Sequence, residues 1–166
     1  MLRRVSASMA AAGLAMAAVG ATPLRAGAES GSALCGFNGA GAVAPPVNYQ
    51  EHASTYRFTG TLTCGSSDST VSSGTVTALG AGSIGCFRGD HNAILRVAWN
   101  NGRSSTLTVH FSDVLAALVG TGTVKDGEFA GQPVGVQLLF YSPEALNCAQ
   151  AGITAAQLSG SFQIGA

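Results

Sequence analysis

Charge is scarce in this chain: only 10% of its 166 residues are Asp, Glu, Lys or Arg. The eight basic residues are scattered, without the clustered face that binding to a phosphate backbone requires, so nucleic acid is excluded as a partner. No Cys-x-x-Cys spacing occurs, and none of His52, His91 and His110 sits beside a cysteine, which removes the usual zinc sites. Phosphate loops are absent too, and the nearest approach to a nucleophile elbow, Ala81-Gly82-Ser83-Ile84-Gly85, lacks the first glycine. No cofactor is therefore expected. Long apolar runs are also missing. The one run worth noting, Met9 to Ala21, falls well short of the ~20 residues that cross a bilayer, so no membrane span is expected.

That short run has another reading. Arg3 and Arg4 precede it, and Ala26-Gly27-Ala28 follows it with the small residues a signal peptidase accepts. The sequence thus predicts a signal peptide over residues 1–28, cleaved after Ala28, and a secreted, extracellular domain over residues 29–166. Val19-Gly20-Ala21 is the weaker cleavage alternative. Loss of Arg3, Arg4 and Arg25 leaves five basic residues against eight acidic ones, a net charge of −3.

All four cysteines, Cys35, Cys64, Cys86 and Cys148, lie in the exported part. An even number in an exported domain reads as two disulfides, with three possible connectivities. Residue parity ranks them. Tyr56, Phe58, Leu62 and Cys64 share one face of an alternating run, and Cys35, Phe37, Gly39, Gly41 and Val43 share another. Antiparallel pairing with Cys35 opposite Cys64 sets Phe37 against Leu62, Gly39 against Gly60 and Val43 against Tyr56. A slip of one residue would turn one apolar set outward. Cys35–Cys64 is therefore preferred, which leaves Cys86–Cys148. Pro45, Pro46 and Asn48 mark the connection as a surface loop.

The remainder alternates in the same way. Ile94 to Trp99 and Arg103 to Phe111 flank Asn100-Asn101-Gly102, a hairpin signal. A three-residue loop with a left-handed Gly102 matches Leu95 with Leu107 and places Trp99 against Arg103. Lys125-Asp126-Gly127 reads as a second hairpin tip, and Pro133 as an edge, a bulge or a strand start. The small residues of Ala78 to Gly82 read as a break between strands near Val71–Leu79 and Ile84–Phe87. One helical turn fits Ser142 to Ala156, and Leu158, Gly160, Phe162 and Ile164 form a closing strand. The result is an all-β, single-domain antiparallel β-sandwich or β-barrel of about eight to nine strands.

Cys-Gly-Phe-Asn-Gly-Ala-Gly (35–41), Phe-Thr-Gly-Thr-Leu-Thr-Cys (58–64), Trp-Asn-Asn-Gly-Arg-Ser-Ser (99–105), Gly-Thr-Val-Lys-Asp-Gly-Glu-Phe-Ala-Gly (122–131) and the late Cys148 together resemble a group of small secreted actinobacterial proteins of uncharacterised function. The resemblance covers nearly the whole exported part. It implies export and a β fold, and brings no activity with it.

Chemistry is thin. Arg88-Gly89-Asp90 is an adhesion tripeptide, expected in a loop pinned by Cys86, but Gly-Asp is also an ordinary turn. His91 beside Asp90, with a serine, would be the start of a hydrolase site. Asp126 and Glu128 at a hairpin tip, Asp68 in a Ser-rich loop and Glu51 beside His52 read as solvated carboxylates. Trp99 and Arg103 could stack as cation and ring, although Trp99 shares parity with core positions. The expected function is a non-enzymatic extracellular binding, interaction or structural domain. Its speculative surface is Arg88, Gly89, Asp90, His91, Trp99 and Arg103, and its partner is an extracellular protein, glycan or small ligand. A secreted Ser/His hydrolase and a small-ligand-binding barrel are the alternatives.

Overall fold

Alternation of apolar and small polar residues gives each segment one face to bury, and eight such segments wrap around a common interior. The computed structural model describes residues 31–165; the expected signal peptide lies outside them. The strands are β1 (Ala33–Val47), β2 (His52–Ser66), β3 (Ser73–Ile84), β4 (Arg88–Trp99), β5 (Ser104–Val114), β6 (Ala117–Gly127), β7 (Pro133–Tyr141) and β8 (Ile153–Ile164). Each pairs antiparallel with its sequence neighbour, and β8 returns to β1, so the sheet closes into an eight-stranded barrel. A short 3-10 helix, Ala145–Ala149, is inserted between β7 and β8.

Parity read the first ribbon correctly. Cys35 faces Cys64, Phe37 faces Leu62, Gly39 faces Gly60 and Val43 faces Tyr56. Both expected disulfides, Cys35–Cys64 and Cys86–Cys148, are present. The β4–β5 hairpin also turns as expected: Gly102 has φ 82°, the Trp99 amide donates to the Arg103 carbonyl, and Leu95 faces Leu107.

Four expectations are corrected. Residues Ala78 to Gly82 do not break a strand; β3 runs unbroken from Ser73 to Ile84. Their smallness serves the interior instead, as described below. Pro45 and Pro46 belong to the end of β1, where the ladder to β8 is interrupted between Ala42 and Val47 and no donor is required of them. The hairpin tip after β6 lies beyond Lys125-Asp126-Gly127, at Glu128–Gln132, because Gly127 stays paired with Ser105 while Phe129 (φ 62°) and Gly131 (φ 86°) make the turn. Arg88-Gly89-Asp90 opens β4 rather than sitting in a loop.

The barrel has two unlike ends. At one, where β1 begins and β8 finishes, Leu62, Val97, Trp99, Leu107, Val124, Phe129 and Ile164 fill the interior. Phe129, carried on the β6–β7 turn, meets Trp99 edge to face with ring centroids 5.7 Å apart and caps this end. Beneath it Trp99 Nε1 donates to Ser105 Oγ (2.8 Å), which donates to the Glu128 carbonyl (2.6 Å). Glu128 is buried, not solvated as its position in a turn suggested, and its carboxylate accepts from Arg103 at 2.8 Å. Trp99 is a core residue, as its parity implied.

Candidate functional site

The opposite half of the barrel is only partly filled, and the reason lies in which residues point inward there. Aromatic side chains from one strand lie over glycines of the next. Phe58 covers Gly41, Phe37 covers Gly60, Phe111 covers Gly120 and Tyr56 covers Gly80; a Cβ at any of these glycines would overlap the ring. Rings laid along the wall leave the axis free. An eight-stranded barrel is just wide enough to be filled by side chains or to hold one small ligand, and here rings on glycines together with Ala78 and Ala156 leave the interior incompletely filled. A cavity of about 100 Å³ remains, walled by Phe58, Ala78, Phe111, Leu138, Phe140 and Leu158 among others.

One polar cluster interrupts this apolar wall. Successive inward positions of β3 are Gly80 and Gly82, opposite Tyr56 of β2 and His91 of β4 respectively. With no side chain on β3 between them, Tyr56 and His91 meet over its backbone: Tyr56 Oη lies 2.7 Å from His91 Nδ1. On the other side His91 Nε2 lies 2.9 Å from Asp113 Oδ2 of β5. The imidazole stacks on Phe111 at 5.2 Å and meets the Tyr56 ring edge-on at 5.0 Å. His91 and Asp113 side chains keep only 3% and 11% of their exposure.

The hydrogen-bond roles follow from the chemistry of each group. An ionised carboxylate can only accept, so the Nε2 of His91 carries the hydrogen given to Asp113, and the Nδ1 of a neutral imidazole accepts from the Tyr56 hydroxyl. Tyr56 keeps its proton, because burial first and the negative charge of Asp113 second push its pKa well above the ordinary value. The donors are thereby spent inside the cluster. Asp113 Oδ1, also buried, has no protein partner.

The mouth is built by the second disulfide. Cys86–Cys148 ties the β3–β4 turn to the 3-10 helix. Beside it Tyr49 stacks on Phe87 at 5.4 Å, both half exposed, and the Phe87 carbonyl accepts from the Leu115 amide. The Glu144 carboxylate anchors the chain entering β8 by accepting from the Thr154 and Ala155 amides at 2.6 and 3.2 Å.

The six residues singled out from sequence do not form one surface. Arg88 points outward and pairs with Glu51 at 3.4 Å; Asp90 also points outward, toward His110 at 3.4 Å; Gly89 and His91 face the interior. The tripeptide is therefore divided between the two faces of a strand. Trp99 and Arg103 stand at the capped end, a barrel's length from His91. His91 and Asp90, on opposite faces, make no common site, and the carboxylate that His91 uses is Asp113. Sequence reasoning missed Tyr56 and Asp113 as its partners, although a signal was present: parity with Leu95, Val97 and Trp99 turns His91 inward, and parity with Val109 and Phe111 does the same for Asp113. Among the described residues no group of three or more His, Cys, Asp or Glu could hold a metal ion, and no helix is long and apolar enough to cross a membrane. No family model matches the chain, and neither a curated protein nor a solved structure does.

Proposed function

We propose that this protein is a secreted binding domain that holds one small, largely apolar molecule in the open half of its barrel. The observation that carries the reading is the chamber itself: an apolar cavity, opening beside the Cys86–Cys148 disulfide, with a buried polar cluster in its wall. Cavities with mostly apolar linings and a few convergent polar groups are the usual form of small-molecule sites. At about 100 Å³ the chamber is smaller than the ~300–1,000 Å³ of drug-sized sites and near the ~150 Å³ that admits benzene. The occupant is accordingly of one-ring size.

Export fits this reading. Two disulfides suit an oxidising compartment, and the leader-like N-terminus supplies a route to it. The outward faces carry Thr59, Thr61 and Thr63 on β2, Thr75 and Thr77 on β3, and Asn92 and Arg96 on β4. The same outer faces also expose apolar side chains, Leu79, Ile94, Val119, Leu139 and Tyr141 among them. At His91 Nδ1 the structure offers a tyrosine rather than a serine, so binding is better supported than hydrolysis.

Titration of the oxidised protein with toluene, followed by NMR, tests the reading. Saturable shifts are expected at Ala78, Leu138 and Leu158 in the chamber and not at Val71 or Val134 near the cap. Ala78→Phe should fill the space and abolish them. Absence of saturable shifts in the wild-type protein would sink the proposal.

A further inference from the structure

We infer that the chamber selects molecules carrying a hydrogen-bond donor, a hydroxyl or an amine on an apolar body of one-ring size, and that Asp113 Oδ1 receives that donor. The inference rests on the small-ligand reading above and goes on to assign the ligand's chemistry.

Three observations converge on it. Tyr56, His91 and Asp113 provide the polar side chains of the chamber wall. Within this cluster every hydrogen has a destination: Tyr56 gives its hydroxyl hydrogen to His91 Nδ1, and His91 Nε2 gives its own to Asp113 Oδ2. The mouth's backbone amides are spent as well, Gly85 donating to the Arg88 carbonyl and Cys86 to that of Asn48. The cluster is therefore left with no free donor, and Asp113, which lines the chamber, keeps one carboxylate oxygen, Oδ1, buried and without a protein partner. Leaving such an atom unmet in an apolar site is costly.

Position and charge sharpen the assignment. Gly89, opposite Asp113 on β4, makes room for the carboxylate; a Cβ there would come within 2.6 Å of Asp113 Oδ2. His91, held between Tyr56 and Phe111, fixes Oδ2. A donor brought by the ligand completes the set. A carbonyl, ether or carboxylate would instead set acceptor against acceptor, and an anion would meet the charge of Asp113 as well. Neutral hydroxyl and cationic amine ligands share the required donor, and the aromatic walls tolerate either.

Competition and direct titration with five one-ring probes at neutral pH decide the matter: toluene, phenol, benzylamine, anisole and benzoate. Phenol, benzylamine or both should bind about tenfold or more tighter than toluene, a ratio typical of one buried hydrogen bond to a charged acceptor. Anisole should not exceed toluene, and benzoate should be rejected. A preference for benzylamine over phenol identifies the cationic source of the donor, and the reverse identifies the neutral one. Asp113→Asn, which offers hydrogens where the carboxylate offered none, should bring the donor probes within about twofold of toluene while toluene itself still binds. Equal binding of toluene, phenol and benzylamine to the wild-type protein would overturn the donor assignment and leave the cavity reading standing. Failure of all five probes to bind would remove both. The wild-type panel separates these outcomes even if Asp113→Asn does not fold.

Discussion

Tyr56 and Gly80 face each other across β2 and β3, and the absent side chain of the glycine is what allows the phenol ring to lie against the barrel wall. Gly80→Ala forces the ring off the wall, toward the chamber and away from His91. Overpacking of this kind costs about 1–3 kcal/mol, readable as a lowered midpoint in urea, and toluene binding should weaken with it. An unchanged midpoint would show that the ring does not occupy that place.

Alkaline titration reports the buried hydroxyl directly. Tyr56 has a raised pKa from burial and from Asp113, so its protonated form is favoured by folding. The stabilisation is complete below the ordinary tyrosine value of about 10 and declines as pH rises beyond it, because the unfolded chain then releases a proton that the folded one retains. Ultraviolet titration should show one of the three tyrosines resisting ionisation until the fold melts. Tyr56→Phe should remove that step and flatten the alkaline loss of stability.

Acid should act at the mouth and at the capped end. Glu144 is held below its ordinary value of 4.5 mainly by the Thr154 amide, and Asp68 below 3.8 mainly by the Thr70 amide. Both contribute stability that is fully present above those ordinary values and is lost as pH falls through the depressed ones. The melting temperature of the wild-type protein should therefore drop more steeply below about pH 4.5 than that of Glu144→Gln, whose amide cannot be protonated there. Parallel profiles would remove Glu144 from the account.

The two disulfides should separate stability from access. Replacing Cys35 and Cys64, or Cys86 and Cys148, with serine should each cost about 2–4 kcal/mol in denaturant unfolding. Only the second pair borders the mouth, so only its loss should also quicken exchange of bound toluene. Non-reducing peptide mapping should recover Cys35 with Cys64 and Cys86 with Cys148. Any other pairing contradicts the register of β1 and β2.

Much of this architecture was legible because period-two alternation is a local property. Phe37, Leu62, Tyr56 and Val43 declare their faces within a few residues, and once Cys35 is set against Cys64 the register of β1 and β2 follows. The loop at Gly102 was legible for the same reason: one choice of loop length matched Leu95 with Leu107 and the other did not. Glycines misled where their purpose was remote. Gly80 and Gly82 resemble a turn in sequence, yet they are an empty stretch of wall across which Tyr56 and His91 meet. Their meaning depends on residues 24 positions earlier and nine later, brought together only when β2, β3 and β4 align. Glu128 hid in the same way, since its partner Arg103 sits on another hairpin.

Closure of β8 onto β1 also decides where the chain can be handled. The described chain's two ends abut at the capped pole, where a Cβ at Gly165 would stand 2.9 Å from the Gly31 carbonyl oxygen. The chamber opens at the other pole. A tag, a fusion partner or a solid support joined at Gly31 or Gly165 would thus leave the mouth unobstructed, and a short peptide bridging these two residues would permit a circular permutant opened at Asn101 with its chamber intact.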